Sequence, residues 1–315
     1  MGGLCGTDLK IADGYLRPRF FPHILGHEIA GDVIDGKPAS SRDETMLEKV
    51  AQNDSNVLIY PDIGCGSCAY CLGGEMNLCS DLKRPGFELP GGFAEYVSIP
   101  IRHLVPSPLG KEAAVLTDAG AAMLHAFRRG TIRPGTNVVV MGVGGLGTMA
   151  VQLAKLMGCR VIALDIDDRK LEFATELGAD TSVNLQGSQV HEVKQRVERA
   201  TDGKLAAAFV DLVGKNSSQE LAMQLLARRG KLIQVGYSEA NFGSIPLKSV
   251  VYREIEIIGS LAATARDLYD IVDLVKNGRI KLNVTKQYPL SEINSAFQDL
   301  RQNRILGRSV IVVSA

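Results

Sequence analysis

The chain has 315 residues, 45 % hydrophobic and 22 % charged, which is enough apolar material for two domain cores. Its 35 basic and 35 acidic side chains cancel, which argues against a nucleic-acid or membrane-surface partner. No run of about eighteen apolar residues would span a bilayer, and no basic stretch with an apolar core and a cleavage site marks a secretory leader. Cysteine usage points to a reducing, cytoplasmic setting.

Residues 1–117 are rich in Gly, Pro and short β-like runs. NVLIYP (56–61) and FAEYVSIP (93–100) read as strands that end at prolines. SSRDETMLEKVAQND (40–54) reads equally as a solvated loop or as a surface helix, capped at Ser41, with Met46, Leu47 and Val50 on one side. No other helix is evident in this zone. GCGSCAYCLGGEMNLC then brings Cys65, Cys68, Cys71 and Cys79 together. Short C-x-x-C steps curl thiolates toward one centre, which favours zinc over an iron–sulfur cluster or a disulfide set. Four thiolates fill a tetrahedral zinc, so this site shapes a loop and the chemistry lies elsewhere.

Residues 118–260 alternate strand and helix. NVVVMG (137–142), CRVIALD (159–165), AAAFVDLVG (206–214), KLIQVG (231–236) and EIEIIGS (254–260) read as strands. LGTMAVQLAKLMG (146–158), RKLEFATELGA (169–179) and SSQELAMQLLARRG (217–230) read as helices that end at glycine. Apolar strands separated by amphipathic helices predict a parallel sheet covered on both faces. Residues 261–315 add helix 267–278, a second helix capped at Ser291, and a closing strand SVIVVS.

MGVGGLG joins the first strand of the alternating zone to its helix. Gly142, Gly144 and Gly147 take the G-x-G-x-x-G positions, with Gly145 and Leu146 between them. The turn, the close approach of pyrophosphate and the free amides of the helix start are all served by that spacing. Asp165 ends the next strand and is placed to accept the adenosine ribose hydroxyls. Its charge opposes a 2′-phosphate, so NAD is expected, with Arg169 as the counter-charge that would admit NADP. A bare structural Rossmann fold is the bland alternative.

Cys5 and His27 remain. A thiolate and an imidazole are two thirds of a catalytic zinc set. Cys159 begins a strand and reads as packed. The third ligand is less obvious: Asp118, in VLTDAGAAMLHAF, is one candidate, with a helix cap as its bland reading. Glu28 is the other candidate.

The chain resembles the zinc-containing medium-chain alcohol dehydrogenases. The match rests on CGTD (5–8), GHE (26–28), the four-cysteine loop, GGFAEY (91–96), LTDAG (116–120), GVGGLG (142–147) and the pair Gly307–Arg308, in family order. The resemblance implies an α/β protein. A GroES-like β-barrel catalytic domain comes from residues 1–117 and 261–315, a Rossmann NAD-binding domain from 118–260, and the active site lies in the cleft. It implies one catalytic zinc on Cys5, His27 and Asp118, and one structural zinc on the four cysteines. It makes Glu28 the acid beside the metal, and Thr7 the hydroxyl that bonds the substrate oxygen. Val213 and Val235 would flank the nicotinamide, and Arg308 would bind pyrophosphate. The family also implies a homodimer or homotetramer.

Three features depart from the family pattern. Cys5 lies four residues after the first residue, which puts the first barrel strands in doubt. SSRDETMLEKVAQND stands where a G-D-x-V turn is usual. Lys10 replaces a common relay histidine and is poorly tuned for that task near neutral pH. The expected activity is reversible hydride transfer between NAD and a primary or secondary alcohol, with its aldehyde or ketone as the product. Ala122, Met123 and Leu261 to Thr264, small or apolar, suggest a hydrophobic alcohol, with polyols and other family substrates as alternatives. The rivals are a zinc-independent quinone or enoyl reductase and a non-catalytic NAD-binding protein.

Overall fold

The computed structural model describes every residue except 19, 53, 55, 240, 242–244 and 314–315. Asn53, in the doubtful helix segment, and Ser314, in the closing run, therefore lie outside the described residues. Two compact units form, Met1–Ala122 with Ala262–Ala315 and Met123–Leu261. In chain order the first stretch holds β1 (Gly2–Gly3), α1 (Gly6–Ala12), β2 (Glu28–Asp32), α2 (Ser41–Ala51), β3 (Asn56–Ile59), α3 (Ala69–Leu72), β4 (Leu104–Pro106) and α4 (Ala119–Arg129). The second holds β5 (Asn137–Met141), α5 (Gly145–Leu156), β6 (Arg160–Asp165), α6 (Asp168–Glu176), β7 (Thr181–Asn184), α7 (Val190–Ala200), β8 (Ala206–Asp211), α8 (Asn216–Leu225), β9 (Leu226–Gln234), α9 (Leu247–Arg253) and β10 (Glu256–Gly259). The return adds α10 (Ala265–Lys276), β11 (Val284–Pro289), α11 (Ile293–Arg301) and β12 (Arg308–Val312).

The first unit is built on a sheet of order β11-β12-β1-β2-β3-β4, antiparallel except between β11 and β12. The two-residue β1 joins the return segment to β2, with Gly3 opposite Glu28. Both glycines of β1 must be bare, since a Cβ on Gly2 would meet the Phe93 ring at 2.9 Å. A Cβ on Gly3 would stand 1.9 Å from the Glu28 carboxylate, so the bare strand is what lets that acid lie across it. Ile29, Val57, Ile59 and Leu104 pack one core cluster, and Leu4, Phe93, Tyr288 and Ile311 another.

The second unit is a six-stranded parallel sheet of order β10-β9-β8-β5-β6-β7. Counted from β5 this is the doubly wound order, whose switch point falls between β5 and β8. Val139, Ile162, Leu164, Phe209 and Leu232 form its buried layer.

Several local expectations are corrected. Residues 93–100 form no strand. Backbone pairing there stops after Gly91, Gly92 and Phe93, which donate to the carbonyls of Ile24, Gly26 and Leu25. Val97 and Ile99 still pack on the core cluster of Ile29 and Val57, with exposed Ser98 between them, so burial alternates there without a ladder. Within 40–54, Ser41–Ala51 forms a helix, capped by Ser40 rather than Ser41, whose hydroxyl accepts from Asp43 N. Helix α1 was not evident in the sequence. The helix expected over 217–230 stops at Leu225, because Leu226 turns extended and pairs with Ala206. Ser291 lies inside a 3₁₀ turn, and α11 starts after Glu292. The largely polar β7 and the α7 that follows it were also not legible. Among the described residues, no helix is long and apolar enough to cross a membrane.

His103 supplies a pH test of this packing. It is 1 % exposed and stacks on Tyr60, with ring centroids 5.7 Å apart and planes at 4°. Burial, and then the charge of Arg102, push its pKa from 6.5 down to about 4. The unfolded chain binds the extra proton first, so the contribution is whole above pH 6.5 and disappears as pH falls toward 4. The loss is about 3 kcal/mol. Denaturant midpoints across that window should fall less steeply in His103→Asn than in the wild type.

Candidate active site and metal centres

Cys5 caps α1. Its Sγ accepts from Thr7 N at 3.5 Å, and its own N–H donates to Asp8 Oδ2 at 3.0 Å. Asp8 is wholly buried and reaches further. Its Oδ1 accepts from Gly26 N at 3.3 Å and meets His27 Nδ1 at 3.1 Å. A carboxylate only accepts, so Nδ1 carries a proton, and Nε2, which faces Asp118, would offer its lone pair to a metal that displaces the second proton. Gly26 turns the chain at φ +96°, and a Cβ there would strike the Phe93 ring at 2.7 Å.

Asp118 precedes α4, and its carbonyl accepts from Ala122 N. Its carboxylate turns the other way. Oδ2 lies 3.6 Å from both Cys5 Sγ and His27 Nε2. Cys5, His27, Glu28 and Asp118 thus offer ligand atoms all within 4.8 Å of one another. Burial would raise Asp118's pKa, but hydrogen bonding and the charge of His27 outweigh it and hold the acid ionised. For His27, burial acts downward, and the charge of Asp8 with bonds to Asp118, Asp8 and Cys5 raise it well above its ordinary value. Glu28 is wholly buried, and Arg308 donates through Nη2 to both of its oxygens. Burial still lifts Glu28 to about 7 against that guanidinium.

Sulfur, imidazole and carboxylate donors in one buried set suit zinc. Cys5 and Asp118 each bring one negative charge, which balances a divalent ion, while Glu28 is already matched by Arg308. Asp118, with 22 % of its side chain exposed, gives the set an accessible side.

The second set is Cys65, Cys68, Cys71 and Cys79. Backbone N–H groups of Cys68, Cys71 and Cys65 point at the sulfurs of Cys65, Cys68 and Cys79, at 3.4, 3.5 and 3.3 Å. Amide donors, chiefly that of Ser67, draw the Cys65 thiol down to about 6. Gly64 is obligatory, because a Cβ would stand 2.5 Å from Cys71 Sγ. Four sulfurs leave no position for substrate.

In the second unit Gly142 has φ +92°, and Gly144 precedes the first turn of α5. A Cβ on Gly147 would come within 2.2 Å of Gly142 O. Asp165 accepts from Val143 N at 2.7 Å on one oxygen and from Ile166 N at 2.7 Å on the other, which locks the glycine turn to the end of β6. Arg169 is bonded to Asp167 at 3.1 and 2.6 Å.

The sequence reading missed Asp8. Its signals were its place in CGTD (5–8) and its position three residues after Cys5, the reciprocal spacing of a capping box.

Residues 1–109 match the alcohol dehydrogenase GroES-like domain, and residues 145–277 match the zinc-binding dehydrogenase family. A NAD-dependent alcohol dehydrogenase of Sulfolobus acidocaldarius is 32 % identical over 99 % of this chain and 90 % of its own. D-arabinose 1-dehydrogenase (NADP(+)) of Saccharolobus solfataricus is 33 % identical over 98 % and 87 %. The crystal structure of the Aeropyrum pernix alcohol dehydrogenase superposes with a TM-score of 0.86 at 31 % identity, covering 99 % and 90 %. The chain belongs to the zinc-binding medium-chain alcohol dehydrogenase family.

Purified protein should hold two zinc ions per chain, and mild chelation should remove the one on Cys5, His27 and Asp118 first. Asp118→Ala should bind only one, whereas Asp118→Cys should retain two. Metal analysis of the three proteins checks this. Two ions in Asp118→Ala would leave Asp118 as a helix cap worth about 1 kcal/mol.

Proposed function

We propose that the chain is an NAD-dependent zinc alcohol dehydrogenase, which interconverts a primary or secondary alcohol with its aldehyde or ketone. The observation that carries this is the convergence of Cys5, His27 and Asp118 on one point, with Asp8 fixing the imidazole. When bound, zinc supplies Lewis acidity to the substrate hydroxyl, and NAD supplies the hydride acceptor. The chain's own work is to place the substrate and to move one proton.

Thr7 follows Cys5 in the first turn of α1, and its hydroxyl is proposed to take the alcohol's proton. Lys10 lies one turn further along. Its ammonium stands 5.8 Å from the Tyr15 ring centroid, and burial lowers its pKa while the charge of Cys5 opposes the shift. Lys10, or water, is proposed to pass the proton outward. The Glu28–Arg308 pair is proposed to keep a matched charge behind the metal.

The helix start at Gly144–Gly147 is proposed to hold pyrophosphate. Arg308 Nε, buried without a partner, is a further proposed contact. Val213, whose Cγ2 a Cβ on Gly142 would meet at 3.0 Å, and Val235 are proposed to flank the nicotinamide. Asp165 is the proposed ribose acceptor. One relative uses NADP(+), but here Arg169 is paired with Asp167, which favours NAD. The grouping of five of the six cysteines as metal ligands rather than in disulfides supports a reducing, cytoplasmic setting. Leu247, Val251 and Tyr252 are exposed on α9, and β10 is a sheet edge, which supports a homodimer or homotetramer.

The zinc-loaded wild type should oxidise simple alcohols with NAD⁺ in preference to NADP⁺. Asp165→Gly should narrow that preference by at least about tenfold, the equivalent of 1.4 kcal/mol. It should also lower Tm, because Val143 N loses its acceptor. Values of kcat/KM for both nucleotides in both proteins decide it, and a wild-type preference for NADP⁺ would refute the assignment of Asp165.

A further inference from the structure

Asp211 ends β8 and is wholly buried, yet the function proposed above gives it no role. All three of its oxygens accept hydrogen bonds. Oδ1 accepts from Val213 N at 2.9 Å and from Gly214 N at 3.0 Å. Oδ2 accepts from the Ser218 hydroxyl at 2.7 Å, which ties the turn to α8. The carbonyl accepts from Val235 N at 3.1 Å and from Gly236 N at 2.9 Å. One residue therefore holds the turn after β8 with its side chain and the turn after β9 with its main chain.

The two turns also meet directly. A Cβ on Gly214, which has φ +69°, would stand 2.4 Å from Gly236 C, and one on Gly236 would stand 2.3 Å from Leu212 C. Ser238 Oγ donates to Gly214 O at 2.6 Å across the same seam. Their place in the sheet gives the pair of turns a task. β8 lies beside β5 at the switch point, with Asp211 opposite Met141 on one side and Gln234 on the other. A doubly wound sheet binds a dinucleotide across the carboxyl ends of its strands at that point. Asp165, the proposed adenosine ribose acceptor, ends β6 on the far side of β5, so the ends of β8 and β9 fall to the nicotinamide half.

We propose that Asp211 is a positioning residue that fixes Val213 and Val235 as one rigid seat for the nicotinamide ring. This rests on the assignment of those two valines in the function proposed above and adds the group that sets them. Hydride transfer needs the ring held at one distance and angle, and a turn whose amides have lost their acceptor does not hold it there. A nucleotide without the ring does not use the seat. Loss of the Asp211 carboxylate is thus selective for the nicotinamide end, whereas a merely structural acid would weaken both ends together.

The test titrates NADH and ADP-ribose, which lacks the ring, into full-length, zinc-loaded protein by calorimetry. In Asp211→Ala, NADH should bind about tenfold more weakly relative to ADP-ribose than in the wild type. Asp211→Asn keeps an oxygen for the two amides and should restore most of that ratio. Ser218→Ala frees only Oδ2 and should lower the ratio about threefold, which carries the test if Asp211→Ala does not fold. Val213→Ala and Val235→Ala should lower it as well. A ratio unchanged in Asp211→Ala and Ser218→Ala, whether neither ligand or both bind more weakly, overturns the role of Asp211. The valines' assignment then stands if their own variants lower the ratio. A ratio unchanged in both valine variants overturns their assignment and the role of Asp211 with it.

Discussion

The active-site architecture depends on one buried carboxylate. Asp8 holds Cys5 N through one oxygen, and Gly26 N with His27 Nδ1 through the other. Cys5 and His27 are 22 residues apart in the chain, on the cap of a helix and the approach to a strand. With three donors around it, Asp8 removes the freedom of both elements to slide. It also keeps a proton of His27 on Nδ1, so that the nitrogen facing Cys5 and Asp118 is the one a metal would take. A metal site whose ligands are already oriented gives up little conformational entropy when it binds its ion.

Charge sorting follows from that anchor. Four potential anions crowd into one buried place, and repulsion would disperse them if each remained unmatched. The fold separates their partners. Asp8 is matched by His27 and backbone amides, Glu28 by Arg308, and Cys5 with Asp118 is left for a divalent cation. Close approach makes this possible. Gly3 lets the Glu28 side chain cross β1, and Gly26, clamped by the amides of Gly92 and the ring of Phe93, turns the chain so that His27 enters correctly. Residues 91–96 therefore contribute a clamp rather than a strand.

The other two sites use the same physics with different groups. The four-cysteine loop gathers its sulfurs by aiming amides at them, and Gly64 leaves room for Cys71. The glycine turn is held by Asp165, so one side chain both fixes the turn and sits where a ribose is expected.

The sequence by itself determined the chemistry of the donors and the repeating unit of the second fold. Cysteine spacing named the ring, because ligands that are close in sequence are necessarily close in space. The glycine spacing and the alternation of apolar strands with amphipathic helices named the nucleotide unit, because both are local patterns. Tertiary structure decided what depends on distant neighbours. The pairing of Glu28 with Arg308 spans 280 residues, and that of Cys5 with Asp118 spans 113, so no local pattern could show either. The same holds for the strand that 93–100 did not form and for the early end of α8, since a β-ladder exists only where a partner strand lies alongside.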